Sequence, residues 1–122
     1  MSARTFSLTM PITRLHNSNH RSHWAVIASK RAEMKTRAYI ACRGMTPIPG
    51  KATLTVTFAF PDRHIRDLDN WEIKSAIDGA VMAGILTDDR HQVLTSITRT
   101  TGIGRSPKGF VVLTFTFSEV EE

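Results

Sequence analysis

Residues 52–60 (Ala-Thr-Leu-Thr-Val-Thr-Phe-Ala-Phe) constrain the fold more than any other stretch of the chain. Leu54, Val56, Phe58 and Phe60 alternate with threonine or alanine. Successive side chains of an extended strand face opposite sides, so this pattern demands a sheet with one buried face. A second period follows almost at once. Ile73, Ala76, Ile77, Ala80 and Val81 stand at i, i+3, i+4, i+7 and i+8, one apolar stripe of a helix. The spacing predicts a helix over 70–83, ended by Gly84. A strand buried on one side and an amphipathic helix close behind it fit a sheet with helices packed against it.

The remaining segments extend this pattern. Residues 5–12 alternate, with Phe6, Leu8, Met10 and Ile12 on one face and Pro11 near the end, as in a strand. Residues 13–23 are polar and predict a loop. From Trp24 to Arg43, residues Trp24, Ile27, Ala28, Arg31, Met34, Ala38 and Ala41 fall near helical spacing, and Gly44 is a stop. A tryptophan opening such a helix is expected in the core, although Trp24 and Trp71 both have rings suited to stacking on bases. Residues 44–50 read as a turn-rich link, 93–101 as a strand and 102–109 as a turn. In the final strand, 110–117, Val111, Leu113, Phe115 and Phe117 share a register. The predicted order is β-α-β-α-β-β, an α+β domain with one mixed sheet and helices packed on it. At 122 residues the whole chain, 1–122, reads as a single domain.

Cysteine usage and hydropathy exclude several classes. The one cysteine, Cys42, cannot form an internal disulfide or half of a paired-cysteine zinc site. No apolar run approaches a membrane span, and residues 1–8 hold no apolar signal core. The expectation is a cytoplasmic protein with no membrane partner.

Charge is unevenly placed. The formal net charge is +5. Residues 1–51 hold nine lysines and arginines against one acid, Glu33, whereas all six aspartates lie between Asp62 and Asp89. A basic body attracts polyanions, and clustered aspartates suit hard divalent cations. Together they suggest a metal-dependent enzyme acting on phosphates.

The aspartates are patterned. Asp67 and Asp69 are two apart, so in an extended chain they project together while Leu68 turns away as an anchor. Asp69 or Asn70 stands where the helix N-cap is expected. Asn70, Lys74 and Asp78 would share a face of that helix. Asp88 and Asp89 follow the helix. A 14-residue helix is about 21 Å long, so this second pair meets the first only if the chain runs back from Gly84 or a second subunit supplies it.

These residues resemble a known family. Arg66-Asp67-Leu68-Asp69-Asn70, then Lys74, Asp78-Gly79, and Gly84-Ile85-Leu86-Thr87-Asp88-Asp89 are similar to the motifs of the RusA family of Holliday junction resolvases. Asn17-Ser18-Asn19-His20-Arg21-Ser22-His23-Trp24 resembles that family's entry loop, and the likeness runs from about residue 6 to about residue 117. The resemblance implies a homodimeric, Mg²⁺-dependent endodeoxyribonuclease, with Mn²⁺ as a substitute ion, that resolves four-way DNA junctions by paired symmetric nicks. It implies Asp67, Asp69 and Asp89 as catalytic metal ligands, Asp88 as a ligand or support, and Lys74 as the catalytic lysine. Three residues rather than two separate Asn70 from Lys74, a rotation of about 100° on a helix.

Arg21, Lys30, Arg31, Lys35, Arg37, Arg43 and Arg66 are candidates for phosphate contacts. His20 and His23, three apart, are a candidate metal pair, but no helix fixes them, so DNA or surface roles are expected for the histidines (16, 20, 23, 64 and 91). Three classes compete: a junction nuclease, a non-catalytic nucleic-acid-binding module, and a metal-dependent nuclease for flaps or RNA.

Overall fold

The chain forms strands β1 (Ala3–Pro11), β2 (Ala52–Ala59), β3 (Leu94–Thr101) and β4 (Phe110–Glu119), with helices α1 (Trp24–Cys42) and α2 (Lys74–Ala83). Two short 3-10 turns, Ile12–Arg14 and Leu68–Asn70, complete the set among the described residues. The computed structural model describes residues 3–17, 23–63, 66–87, 93–102 and 104–120.

The four strands make one mixed sheet in the order β1-β4-β2-β3. β4 pairs antiparallel with both β1 and β2, while β3 runs parallel to β2. Parallel neighbours need a crossover, and α2 supplies it. The expected small α+β domain is therefore present, with a four-stranded sheet and two helices.

The period-2 pattern becomes the core. Leu54, Val56 and Phe58 of β2 register with Phe117, Phe115 and Leu113 of β4, and all six are buried. Phe6 of β1 stacks on Phe115 with ring centroids 4.9 Å apart. Met34, Ala38 and Cys42 of α1 and Ala76, Ile77 and Ala80 of α2 close the same cluster from the helix side. The other sheet face carries Thr5, Ser7 and Thr9, Thr53, Thr55 and Thr57, Ser96, Thr98 and Thr100, and Thr114, Thr116 and Ser118. It is a hydroxyl surface, with cross-strand pairs such as Ser7 with Thr114 at 3.0 Å.

The helices cross closely at Gly79. A Cβ there would press on the Lys35 carbonyl and lie 2.9 Å from Ala38 Cβ. Gly44 and Gly84 end the two helices with φ of +86° and +93°, where glycine is the residue without steric cost.

Several expectations are corrected. Helix α2 begins at Lys74 rather than 70, because residues 68–70 close a 3-10 turn and Ile73, though buried, is its N-cap. Glu72 Oε1 accepts the Ser75 N–H at 3.0 Å, capping the helix in place of Asp69 or Asn70. Asn70 thus leaves the face shared by Lys74 and Asp78. Trp24 is 74% exposed, not core: the first turn of α1 is not covered, with residues 24–26 all exposed. Ala28 and Arg31 are exposed as well, and the buried stripe runs through Met34, Ala38 and Cys42. The polar loop over 13–23 contains buried Leu15 and His16, so His16 is no surface residue.

Candidate metal and nucleic-acid site

The connection leaving β2 carries the first two candidate aspartates. Arg66 pairs with both carboxylate oxygens of Asp62, at 2.7 and 3.2 Å, and its guanidinium carbon lies 4.1 Å above the Phe60 ring centre. The paired charge and the ring contact fix Arg66 along the connection. It stands as a brace at the entry to the turn.

Asp67 is extended, with φ −81° and ψ 104°, and its Oδ1 accepts the Asp69 backbone N–H at 3.1 Å. This local bond bends the chain into the turn Leu68–Asn70, as aspartate side chains commonly do. The expected extended Asp-x-Asp is corrected accordingly: Asp67 precedes the turn and Asp69 lies within it. Leu68 packs against the core as the anchor, and both aspartates remain exposed, Asp69 at 88%.

Three contacts hold the turn in place. Trp71 follows it and is buried against Phe60, ring centroids 6.1 Å apart. Its indole N–H is buried with no hydrogen-bond partner among the described residues. Asn17 bridges Trp71, and the Glu72 N–H donates to the His16 carbonyl at 2.8 Å, tying the end of the N-terminal segment to the exit of the turn. Arg99 of β3 reaches across from the sheet edge. Its Nη1 donates to the carbonyls of Leu68, at 2.9 Å, and Trp71, at 2.6 Å. Its Nε lies 3.8 Å from Asp69 Oδ1. The sequence did carry a signal for Arg99, since it is the one charged side chain in a strand otherwise made of threonine, serine, leucine and isoleucine.

Lys74 opens α2, is 66% exposed, and lies 3.4 Å from Asp78 Oδ1. It shares a cleft of about 320 Å³ with Arg31, Glu72, Ser75 and Asp78. The fold thus brings one candidate phosphate-binding arginine to the candidate lysine. Lys30 borders a different cleft, of about 340 Å³, with Ile12, Thr13, Leu15 and Trp71. Lys35 borders a third, of about 280 Å³, with Ala32, Thr36, Tyr39 and Met82. Arg37 is tied into the fold: it bonds Glu33 Oε2 at 3.1 Å and the Thr9 carbonyl at 3.3 Å, while Arg14 takes Glu33 Oε1 at 3.0 Å. Glu33, the one acid of residues 1–51, thereby links α1 to Arg14, and Arg37 links it to β1.

Arg21, Asp88, Asp89, His20, His64 and His91 lie outside the described residues. The anchored residues on either side of Asp88 and Asp89 are at the end of the sheet where β2 begins. The Ile48 N–H donates to the Ile85 carbonyl, and the Ala52 N–H to that of Val93, both at 2.8 Å. The aspartate turn stands at the opposite end, where β2 finishes. His23 Nδ1 accepts the Ala25 N–H at 3.2 Å and caps α1, which accounts for that histidine without a metal.

Among the described residues, no three His, Cys, Asp or Glu side chains converge. Asp67 and Asp69 nonetheless fit a hard divalent cation by chemistry. They offer carboxylate oxygens, stand in the open, and leave room for the waters and phosphate oxygens that Mg²⁺ retains. Among the described residues, no helix is long and apolar enough to cross a membrane. No protein-family model matches the chain, and no curated protein matches it.

Proposed function

We propose that the protein is a Mg²⁺-dependent structure-selective endodeoxyribonuclease that acts as a homodimer on branched DNA, nicking four-way junctions in symmetric pairs. The observation that carries this reading is the aspartate turn itself. Two carboxylates are displayed to solvent on a loop fixed by Arg99, Trp71 and the Asp67 cap. Asp67 caps the turn and Asp69 faces Arg99, yet both carboxylates stay open to solvent side by side, an arrangement that a divalent cation stabilises further.

In this reading Asp67 and Asp69 would hold the cation, with a third carboxylate from Asp89 of a second copy, since the residues flanking Asp89 in the same chain are anchored at the other end of β2. When bound, Mg²⁺ supplies Lewis-acid stabilisation of the phosphate and makes hydroxide accessible near neutral pH. Lys74, the first residue of α2 and exposed, would place positive charge where the phosphate gains negative charge. Arg31, beside Lys74, and Lys30 hold the DNA backbone. Two such centres related by a two-fold axis would cut strands of a two-fold symmetric junction in pairs.

The test is a cleavage panel of synthetic four-way, flap and linear DNA, with and without Mg²⁺. Paired nicks in the junction alone support the reading. Cutting of flaps in preference, or of an RNA strand added to the panel, moves it to another nuclease specificity. Binding with no Mg²⁺-dependent cutting makes the protein a nucleic-acid-binding module.

A further inference from the structure

We propose that Arg99 is a positioning residue that sets the geometry of the aspartate turn, an inference that rests on the nuclease reading above. Arg99 registers with Val56 on the helix-covered side of the sheet, at the edge strand β3. Its side chain is 23% exposed and runs from the sheet to the turn. A single nitrogen, Nη1, closes both ends of the turn by donating to the carbonyls of Leu68 and Trp71. The same guanidinium presents Nε to Asp69 at 3.8 Å while leaving that carboxylate 88% exposed.

A purely structural arginine would need only the carbonyls. Here the third donor faces a candidate metal ligand, so the charge that fixes the backbone also opposes the repulsion between Asp67 and Asp69. A three-residue surface turn has little rigidity of its own. The separation of its carboxylates depends on the Asp67 cap at one side and on Arg99 at the other. Lysine cannot replace this arginine: its side chain is one bond shorter and lacks the Nε donor.

The experiment compares the parent protein with R99K and R99Q. Mn²⁺ binding is followed by the loss of free-ion electron paramagnetic resonance signal, without DNA. Amide exchange at Asp69 and Asn70, melting temperature and junction cleavage against Mg²⁺ concentration are measured alongside. The expected result is a native-like melt in at least one variant and faster amide exchange in the turn. Half-saturating Mn²⁺ rises at least fivefold, and the Mg²⁺ requirement for cleavage rises in step, with KM for junction DNA unchanged. If the parent binds Mn²⁺ and both variants bind it equally well, the positioning role is overturned and the nuclease reading stands. If the parent shows no saturable Mn²⁺ binding with or without junction DNA, the nuclease reading falls and takes the positioning role with it.

Discussion

Gly79 of α2 lies against the backbone carbonyl of Lys35 in α1, with no room between them for a methyl group. The contact sets the spacing of the two helices above the sheet, and with it the cleft that Arg31 and Lys74 share. Replacing Gly79 with alanine gains helix propensity but overpacks the crossing. The expected net effect is a loss of about 1–3 kcal/mol, read as a lower midpoint in thermal or urea unfolding. An unchanged or raised midpoint would mean the helices can separate without cost.

Asp69→Asn is expected to keep junction binding and lose cleavage. The amide is nearly isosteric, and the Asp67 cap uses the Asp69 backbone rather than its side chain. Loss of a direct ligand should exceed the penalty for outer partners, so cleavage should fall by about 100-fold or more. Gel-shift and cleavage assays on one junction separate the two effects. Equal cleavage by variant and parent would remove Asp69 from the chemistry.

Asp67 has two tasks, and two substitutions split them. Asp67→Asn retains an oxygen able to accept the Asp69 N–H, so the turn should persist while the charge is lost. Asp67→Ala removes both. Amide exchange at Asp69 should therefore rise in the alanine variant and stay near parental in the asparagine variant, with cleavage lost in both. Equal exchange in the two variants would show that the cap does not shape the turn.

Cys42 is fully buried, and burial pushes its thiol from 9.0 up to about 12. The folded state therefore favours the neutral thiol. Its contribution to stability is complete below the unfolded value and disappears as pH rises from about 9 towards 12. Native protein should resist thiol reagents at pH 8 and react only on unfolding. The Cys42→Ala variant should show a shallower fall in stability over that alkaline range. Rapid labelling of the native protein would contradict the burial argument.

Trp24→Ala should leave stability within about 0.5 kcal/mol of the parent, because the ring is exposed and lies beside the His23 ring, centroids 5.5 Å apart. A calorimetric comparison checks this. A large destabilisation would place the ring in a packed environment after all.

The parts of the fold that were legible are those where one period governs one element. The 52–60 alternation survives intact because β2 is flanked by β4 and β3 and buried on one face along its length. The start of α2 was less legible because Trp71 and Ile73 are buried without being helical, so the apolar spacing continues upstream of the helix itself. Trp24 misled for the opposite reason: its spacing fits the stripe, yet burial along α1 starts only at Met34. The partner of β3 was not written in its own sequence, since Leu94–Thr101 is an edge strand with only Leu94 buried and shows no alternation. For the candidate site, residue types and spacing pointed to Asp67 and Asp69. The turn that carries them depends on Arg99, about thirty residues later, and such tertiary contacts leave only a faint trace in a local pattern.

The hydroxyl-lined side of the sheet has no ionic side chain on its paired strand positions. The lysines and arginines named along α1 and at the start of α2 lie on the opposite layer. Between these two layers the ionic charge is therefore confined to the helix side. An approaching polyanion is steered to the helices, and raising the salt concentration should slow that encounter while leaving the threonine side indifferent to it.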